Sequence, residues 1–416
     1  MPKISAVKAR EILDSRGSPT VETSVVLDTG ETATSSVPSG ASRGQYEALE
    51  LRDGVMERFS GRGVLRAIAN VNEVIAPKII GLDPCNQLEI DKIMLLLDGT
   101  PNKSRLGANA ILSVSEAVCE AAALAEKVPV HEHVGHLYGL KRGEMKMPIP
   151  IFNLINGGGH GAGNLDFQEF HVIPVEQKNY AEALETGEEI YQAVKAVLIR
   201  HGAIHSVGDE GGFAPDLFTN SDALDVLTQA IKETGFVLNK NVFLGLDVAA
   251  GSFYREGKYK IRDRTQAMEA DDLAVFYQDL CQQYPLRLLE DPLQEDDWKG
   301  WTRLKKRLPN TTLIGDDLLA TNKTRIEKAI KEQACGGILV KPNQIGTVAE
   351  TIEVIKIARK AEWKVVVSHR SGETNDDFIA DFAVGVGADY VKFGAPARGE
   401  RVAKYNRLLQ IEEELK

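Results

Sequence analysis

The chain has 416 residues, 43% of them hydrophobic and 26% charged, with a formal net charge of −11. That composition excludes bulk disorder and supplies enough apolar surface for a large core. The acidic balance excludes general nucleic-acid binding through a basic field, while an anionic substrate stays open wherever positive charge is gathered at one site. Length gives two or three domains at about 150 residues each, or one barrel with a smaller companion.

The four cysteines (Cys85, Cys119, Cys281, Cys335) lie far apart and form no CxxC pair, which argues against a zinc knuckle or a disulfide framework. The opening Met-Pro-Lys-Ile-Ser-Ala-Val has no apolar targeting core, and no apolar run approaches the roughly 18 residues of a membrane span. A reduced, cytoplasmic protein is expected.

Residues 21–28 alternate apolar and polar side chains and lead through the turn Asp28-Thr-Gly-Glu31 into a second extended run, residues 32–37. Pro38-Ser-Gly-Ala-Ser-Arg-Gly44 cannot bury a face and reads as a loop. Val64, Ala67, Ile68, Val71, Val74 and Ile75 follow helical spacing, and Asp83-Pro84 reads as an N-cap with a first-turn proline. Residues 107–127, rich in Ala and Ser, fit a helix packed closely on its neighbours. An α+β capping domain over residues 1–138, with a mobile loop at Ser39, is expected.

Short apolar runs then alternate with amphipathic stretches: residues 242–247, 286–290, 312–316, 337–341, 365–369 and 390–392. Each is short enough for a strand and apolar enough to be buried on both faces. Helical patterns such as residues 271–283 and 347–360 fill the gaps. A step of about 25 residues is one strand, one helix and two loops, so residues 139–416 predict a parallel β/α barrel whose charged groups gather at the C-terminal mouth.

Three of the predicted strand ends are acids: Asp247, Glu290 and Asp316. Each alone suits the cap of a following helix, but three at barrel spacing would repel unless a cation sat among them. Oxygen-only ligation favours Mg²⁺, then Mn²⁺, over zinc. Lys341 and Lys392 end two later strands; an ammonium beside a divalent cation is disfavoured, so Lys341 is expected to titrate lower, where it can serve as a base. Ser368-His-Arg-Ser371 contributes His369, Arg370 and Ser371, the last two being donors suited to phosphate. Glu210, in the glycine-flanked Asp209-Glu-Gly-Gly212, is a candidate general acid opposite Lys341.

Residues 156–163 contain a G-x-G-x-x-A match, yet the following Leu165-Asp-Phe-Gln-Glu-Phe looks extended, whereas a dinucleotide fingerprint needs a helix there. What remains is a glycine loop presenting His160, with Gln168 and Glu169 behind it. His131-Glu-His133 with His136 lacks metal-site spacing and reads as a solvated helix face. A lysine base, an acid and a cation beside a carboxylate suit proton removal α to that carboxylate, followed by loss of a hydroxyl: reversible β-elimination of water.

These residues resemble the enolase family along essentially the whole chain. The resemblance is carried by Glu11-Ile-Leu-Asp-Ser-Arg-Gly-Ser-Pro-Thr-Val-Glu22, Ser39-Gly-Ala-Ser42, Gly208-Asp-Glu-Gly-Gly212, Leu289-Glu-Asp-Pro292, Gly315-Asp-Asp-Leu318, Lys341-Pro-Asn-Gln-Ile-Gly346 and Ser368-His-Arg-Ser-Gly-Glu-Thr374. It implies a barrel whose first turn is irregular, capped by the N-terminal domain. It implies interconversion of 2-phosphoglycerate and phosphoenolpyruvate with two Mg²⁺ per active site, in a homo-oligomer, either a dimer or an octamer. By motif, Asp247, Glu290 and Asp316 are the implied ligands of one Mg²⁺, and Ser39 reaches the other. Lys341 is the implied base and Glu210 the acid, supported by Glu169, with His369 in the catalytic set. His160, Gln168, Lys341, Arg370, Ser371 and Lys392 are the implied substrate contacts. Arg43 stands where the family typically has Thr, and the histidine loop is unusually glycine-rich. A sugar-acid dehydratase would lack the serine loop and Arg370-Ser371. A catalytically silent paralogue would be expected to lose Lys341 or Glu210, and both are present.

Overall fold

The computed structural model describes residues 2–40, 44–161, 163–175 and 179–416. Ser42 and Arg43 of the serine loop, and Ala162 of the glycine loop, lie outside them.

The N-terminal sheet is antiparallel, in the order β1 (Ile4–Leu13), β2 (Pro19–Leu27), β3 (Thr32–Ser36). β1 has no counterpart in the sequence reading. Its register shifts between Ile4 and Ala6, so the buried Ile4, Val7 and Ala9 break the alternation that marks a strand. The helical spacing from Val64 gives an α-helix, Leu65–Ala69, then a π-helical stretch, Asn70–Ile75, and a last turn, Ala76–Ile79. Pro77, which has no N–H to donate, stands just past the π stretch. Asp83 is not an N-cap: its carboxylate takes the N–H of Cys85, and the helix begins at Gln87 after Asn86.

The helix Ala108–Glu126 crosses the back of β2 and β3, and Ser113 Oγ lies 2.7 Å from Thr23 Oγ1. Its small residues permit that approach. By length and composition alone it could cross a membrane, but 83% of its apolar window is buried inside the fold, as in a core helix. Serines and Glu116 interrupt the run in sequence. His131 and His133 are buried rather than solvated, because their helix, Val130–Tyr138, lies against Phe378–Gly385. His131 faces Asp381 and His133 faces Glu126, so these two rings pack inside the fold with a carboxylate beside each.

The second half closes into an eight-stranded barrel. Around the ring run β4 (Ile149–Asn156), β5 (Glu169–Pro174), β6 (Val242–Asp247), β9 (Leu286–Glu290), β10 (Thr312–Gly315), β11 (Gly337–Val340), β12 (Lys364–Ser368) and β13 (Tyr390–Lys392). A two-residue hairpin, β7 (Tyr254–Arg255) with β8 (Lys258–Tyr259), lies outside it. The parallel expectation holds for every barrel pairing except those of β5, which runs antiparallel to both β4 and β6. β4 and β5 form a hairpin, and the helices Tyr180–Arg200 and Asn220–Thr234 follow it in succession, so one step of the β/α cadence is absent.

Ile151, Ile173, Leu288, Ile314, Leu339, Val366 and Tyr390, one from each of seven strands, pack as a buried plug. Phe243 of β6 packs against them, and because side chains on a strand alternate, residues an even number of places from these positions also face the barrel axis. That parity places Asn153, Glu169, Asp247, Glu290, Asp316, Lys341, Ser368 and Lys392 at the mouth. The N-terminal part reaches the same mouth: Ser39 pairs with Gly372, its N–H 2.7 Å from the Gly372 carbonyl, and Ser36 N–H bonds Asp376 at 2.7 Å.

Candidate active site

Lys392 stands at the centre of the mouth. Its ammonium lies 2.9 and 2.8 Å from the two Glu290 oxygens, 3.2 Å from Asp247 and 3.3 Å from Glu169. Burial works against the charge, but these carboxylates outweigh it and hold Lys392 well above the ordinary lysine range. Gln168 donates to Asp247 at 3.2 Å.

Lys341 follows β11 and points its ammonium at Asp316, 2.5 Å away. The other Asp316 oxygen accepts from Gln344 at 2.9 Å. The expected fall in the Lys341 pKa is absent from this state: burial lowers it, yet the Asp316 charge more than compensates and raises it. The expectation assumed a divalent cation beside the ammonium, whereas here its neighbour is the Asp316 carboxylate.

Glu210 is carried by a turn that only glycine permits on either side. Gly211 has φ +88, where a Cβ would lie 2.9 Å from the Ala397 carbonyl, and a Cβ on Gly208 would lie 2.4 Å from that of His160. The Glu210 carboxylate accepts from Asn153 of β4 and from Ser371, both at 3.0 Å. Asn153 is three strands around the ring from β11, so Glu210 and Lys341 enter the mouth from different sides. Burial and the Glu169 charge push Glu210 up, but His160 and His369 prevail and hold it below the usual carboxylate range.

His160 Nδ1 lies 3.1 Å from Glu169 and 3.4 Å from Glu210, and its Nε2 lies 3.1 Å from Ser371 Oγ. Burial favours the neutral ring, but Glu210 and Glu169 raise it to about 9, so it is an imidazolium at neutral pH. Glu169 is driven the other way: burial raises it, while Lys392, His160 and His171 hold it well below its ordinary value. His369 Nδ1 takes a hydrogen bond from Arg401 at 2.7 Å. A guanidinium only donates, so the neutral ring carries its proton on Nε2, 3.4 Å from Glu210.

A single pocket is lined by His160, Gln168, Glu169, Glu210, Asp247, Asp316, Lys341, His369, Arg370, Ser371 and Lys392. Glu290 is outside this lining and is joined to it by the bonds from Lys392. Ser39 stands apart: it is buried, and its hydroxyl donates to Asp14. Glu47, Asp291 and Asp317 also line the pocket and were not singled out from sequence. Asp291 and Asp317 each follow a chosen acid in Leu289-Glu-Asp-Pro292 and Gly315-Asp-Asp-Leu318, which was the available signal. Asp291 adopts φ 42 and accepts the backbone N–H groups of Asp316 and Asp317 at 3.0 and 2.7 Å, tying β9 to β10.

Among the described residues lining the pocket, carboxylates outnumber cations. Burial and then Asp247 hold Glu290 well above its ordinary range, and burial with Asp317 and Asp316 does the same to Asp291. Asp317 rises to about 7 through burial and Asp316. Asp291, Asp316 and Asp317 bring one oxygen each within 4.8 Å of one another. An oxygen-rich donor set short of positive charge fits a hard divalent cation.

Two family models match the chain: "Enolase, N-terminal domain" over residues 4–134 and "Enolase, C-terminal TIM barrel domain" over residues 144–416. With the barrel, its acidic mouth and both matches in agreement, the chain belongs to the enolase family.

Proposed function

We propose that the chain is a phosphopyruvate hydratase, interconverting 2-phosphoglycerate with phosphoenolpyruvate and water. The observation that carries this reading is the pairing of one lysine, Lys341, with a separately positioned acid, Glu210, across a pocket that also holds Arg370, Ser371 and Lys392. A silent family member has no need of that pair.

Asp247, Glu290 and Asp316 would hold a first Mg²⁺, and Ser39, once released from Asp14, would reach a second. Bound there, magnesium would neutralise the substrate carboxylate and the charge that grows on it as the α-proton leaves. Lys341, as the free amine, takes the α-proton, and the electron pair of that C–H bond moves into the carboxylate. Glu210, a carboxylate in this structure, draws the proton that His160 holds 3.4 Å away and gives it to the β-hydroxyl, which departs as water while the carbon–carbon double bond forms. Lys341 is left as ammonium and His160 as the neutral ring, and each returns to its starting form through solvent. Glu169 and His160 hold a proton beside Glu210, and His369 fixes the Glu210 carboxylate. Arg370 and Ser371 bind the phosphate, and His160, Gln168 and Lys392 complete the substrate contacts.

The test is ultraviolet absorbance on mixing with 2-phosphoglycerate and Mg²⁺, since elimination creates the conjugated enol. A rise is expected; a flat trace with correctly folded protein overturns the reading.

A further inference from the structure

Arg370 does not wait open for a ligand. Glu47, on the segment leading from the serine loop, places one oxygen 2.9 Å from Nη1 and the other 3.4 Å from Nη2. Both side chains are at most 7% exposed. Asn343 accepts from the same Nη1 at 2.9 Å. The Glu47 carboxylate also takes the Gly44 N–H at 3.0 Å. The segment is fastened to the barrel on either side of Glu47: Ala48 N–H bonds the Gln344 carbonyl at 2.8 Å, and the Arg325 guanidinium lies 3.7 Å over the Tyr46 ring. Glu47 is therefore built into the pocket wall.

We infer that Glu47 is a built-in counter-anion for Arg370, occupying the guanidinium edge until the phosphate of the ligand displaces it. The ligand's identity rests on the hydratase reading; the displacement rests on the contacts above. A carboxylate meeting two guanidinium nitrogens mimics two oxygens of a phosphate in shape and charge. Both anions cannot share one buried guanidinium without strong repulsion, and Asp316 and Glu50 already add negative charge around Arg370. Binding is thus the difference between the incoming phosphate contact and the Glu47 contact it replaces. A hydroxy acid without phosphate has only its carboxylate, which the hydratase reading commits to the metal side of the pocket, so it has no second anion to displace Glu47, and Glu47 sharpens selection for phosphorylated ligands.

The experiment is calorimetric titration of inorganic phosphate into the wild-type protein and Glu47→Gln at saturating Mg²⁺. Removing the competing charge is expected to tighten phosphate binding by about tenfold, the scale of one desolvated charged contact. In turnover, KM for 2-phosphoglycerate should fall while kcat does not rise. If Glu47→Gln does not fold, Glu47→Ala serves the same test with the same expected direction. Unchanged or weaker phosphate binding in a folded variant overturns the inference, because a carboxylate that merely orients Arg370 would give that result. Tighter phosphate binding in a protein that does not turn over 2-phosphoglycerate would uphold the role of Glu47 and sink the hydratase reading.

Discussion

Lys392 donates to both oxygens of Glu290, at 2.9 and 2.8 Å, from the far side of the barrel ring. One ammonium thereby holds together acids from β5, β6 and β9. Replacing it by Met leaves Glu169, Asp247 and Glu290 buried without their shared partner, and breaking a buried pair in this way costs about 3–5 kcal/mol. The expected result is a lower urea midpoint for Lys392→Met, partly restored in Lys392→Met/Glu290→Gln. Equal midpoints for wild type and the single variant would contradict the central role given to Lys392.

Lys341 pairs with Asp316 at the pocket wall, and Asp316 keeps its bond from Gln344 when the ammonium is lost, so the fold should survive, at some cost in stability, while the chemistry is removed. Lys341→Ala is expected to slow exchange of the substrate α-proton by at least the roughly 10²–10⁴-fold typical of a lost general base. Proton NMR of 2-phosphoglycerate in deuterated water reads this directly. Exchange at the wild-type rate would remove Lys341 from the mechanism.

The surplus of carboxylates predicts that a divalent cation stabilises the folded protein. Thermal unfolding should shift upward as Mg²⁺ is added, by an amount equivalent to about 2.7 kcal/mol at a hundred times the dissociation constant. Chelation should reverse the shift and stop turnover. Asp247→Asn should blunt the response, and an identical response in that variant would place the cation elsewhere.

His160 gives a pH signature. Its folded-state value of about 9 lies above the ordinary histidine value, so its imidazolium adds stability that is complete below about pH 6.5. That contribution fades as pH rises through about 9. Without metal or substrate, the difference in urea midpoint between wild type and His160→Asn should shrink across this window. A difference that stays constant from pH 6 to 10 would show that the ring is not held as a cation.

The sequence was most readable where burial is two-sided. Strands 242–247, 286–290 and 390–392 appear at their expected bounds, because a strand enclosed by plug and helices must be apolar until the residue that emerges at the mouth. Asp247, Glu290 and Lys392 were visible for the same reason. β1 was hidden because its bulge breaks the alternation, and the reversal of β5 was not legible in composition because strand direction leaves no mark there; only the family resemblance implied an irregular first turn. Glu47 was overlooked since a glutamate in a polar stretch looks like any solvated acid until its partner, 323 positions away, is in view. His131 and His133 failed the opposite way: polar residues close together suggested exposure, while Asp381 and Glu126 made burial tolerable.

The reversed direction of β5 has an evolutionary corollary. Glu169 opens that strand instead of finishing it, so the turn that delivers His160 is the tip of a hairpin, not a crossover wrapped by the helical shell. Such a tip can gain or lose residues while ring closure and strand stagger stay intact. Relatives sharing this barrel could therefore diversify the rim above Glu169 by changing the length of that one tip, leaving the opposite arc, with Lys341 and Asp316, untouched.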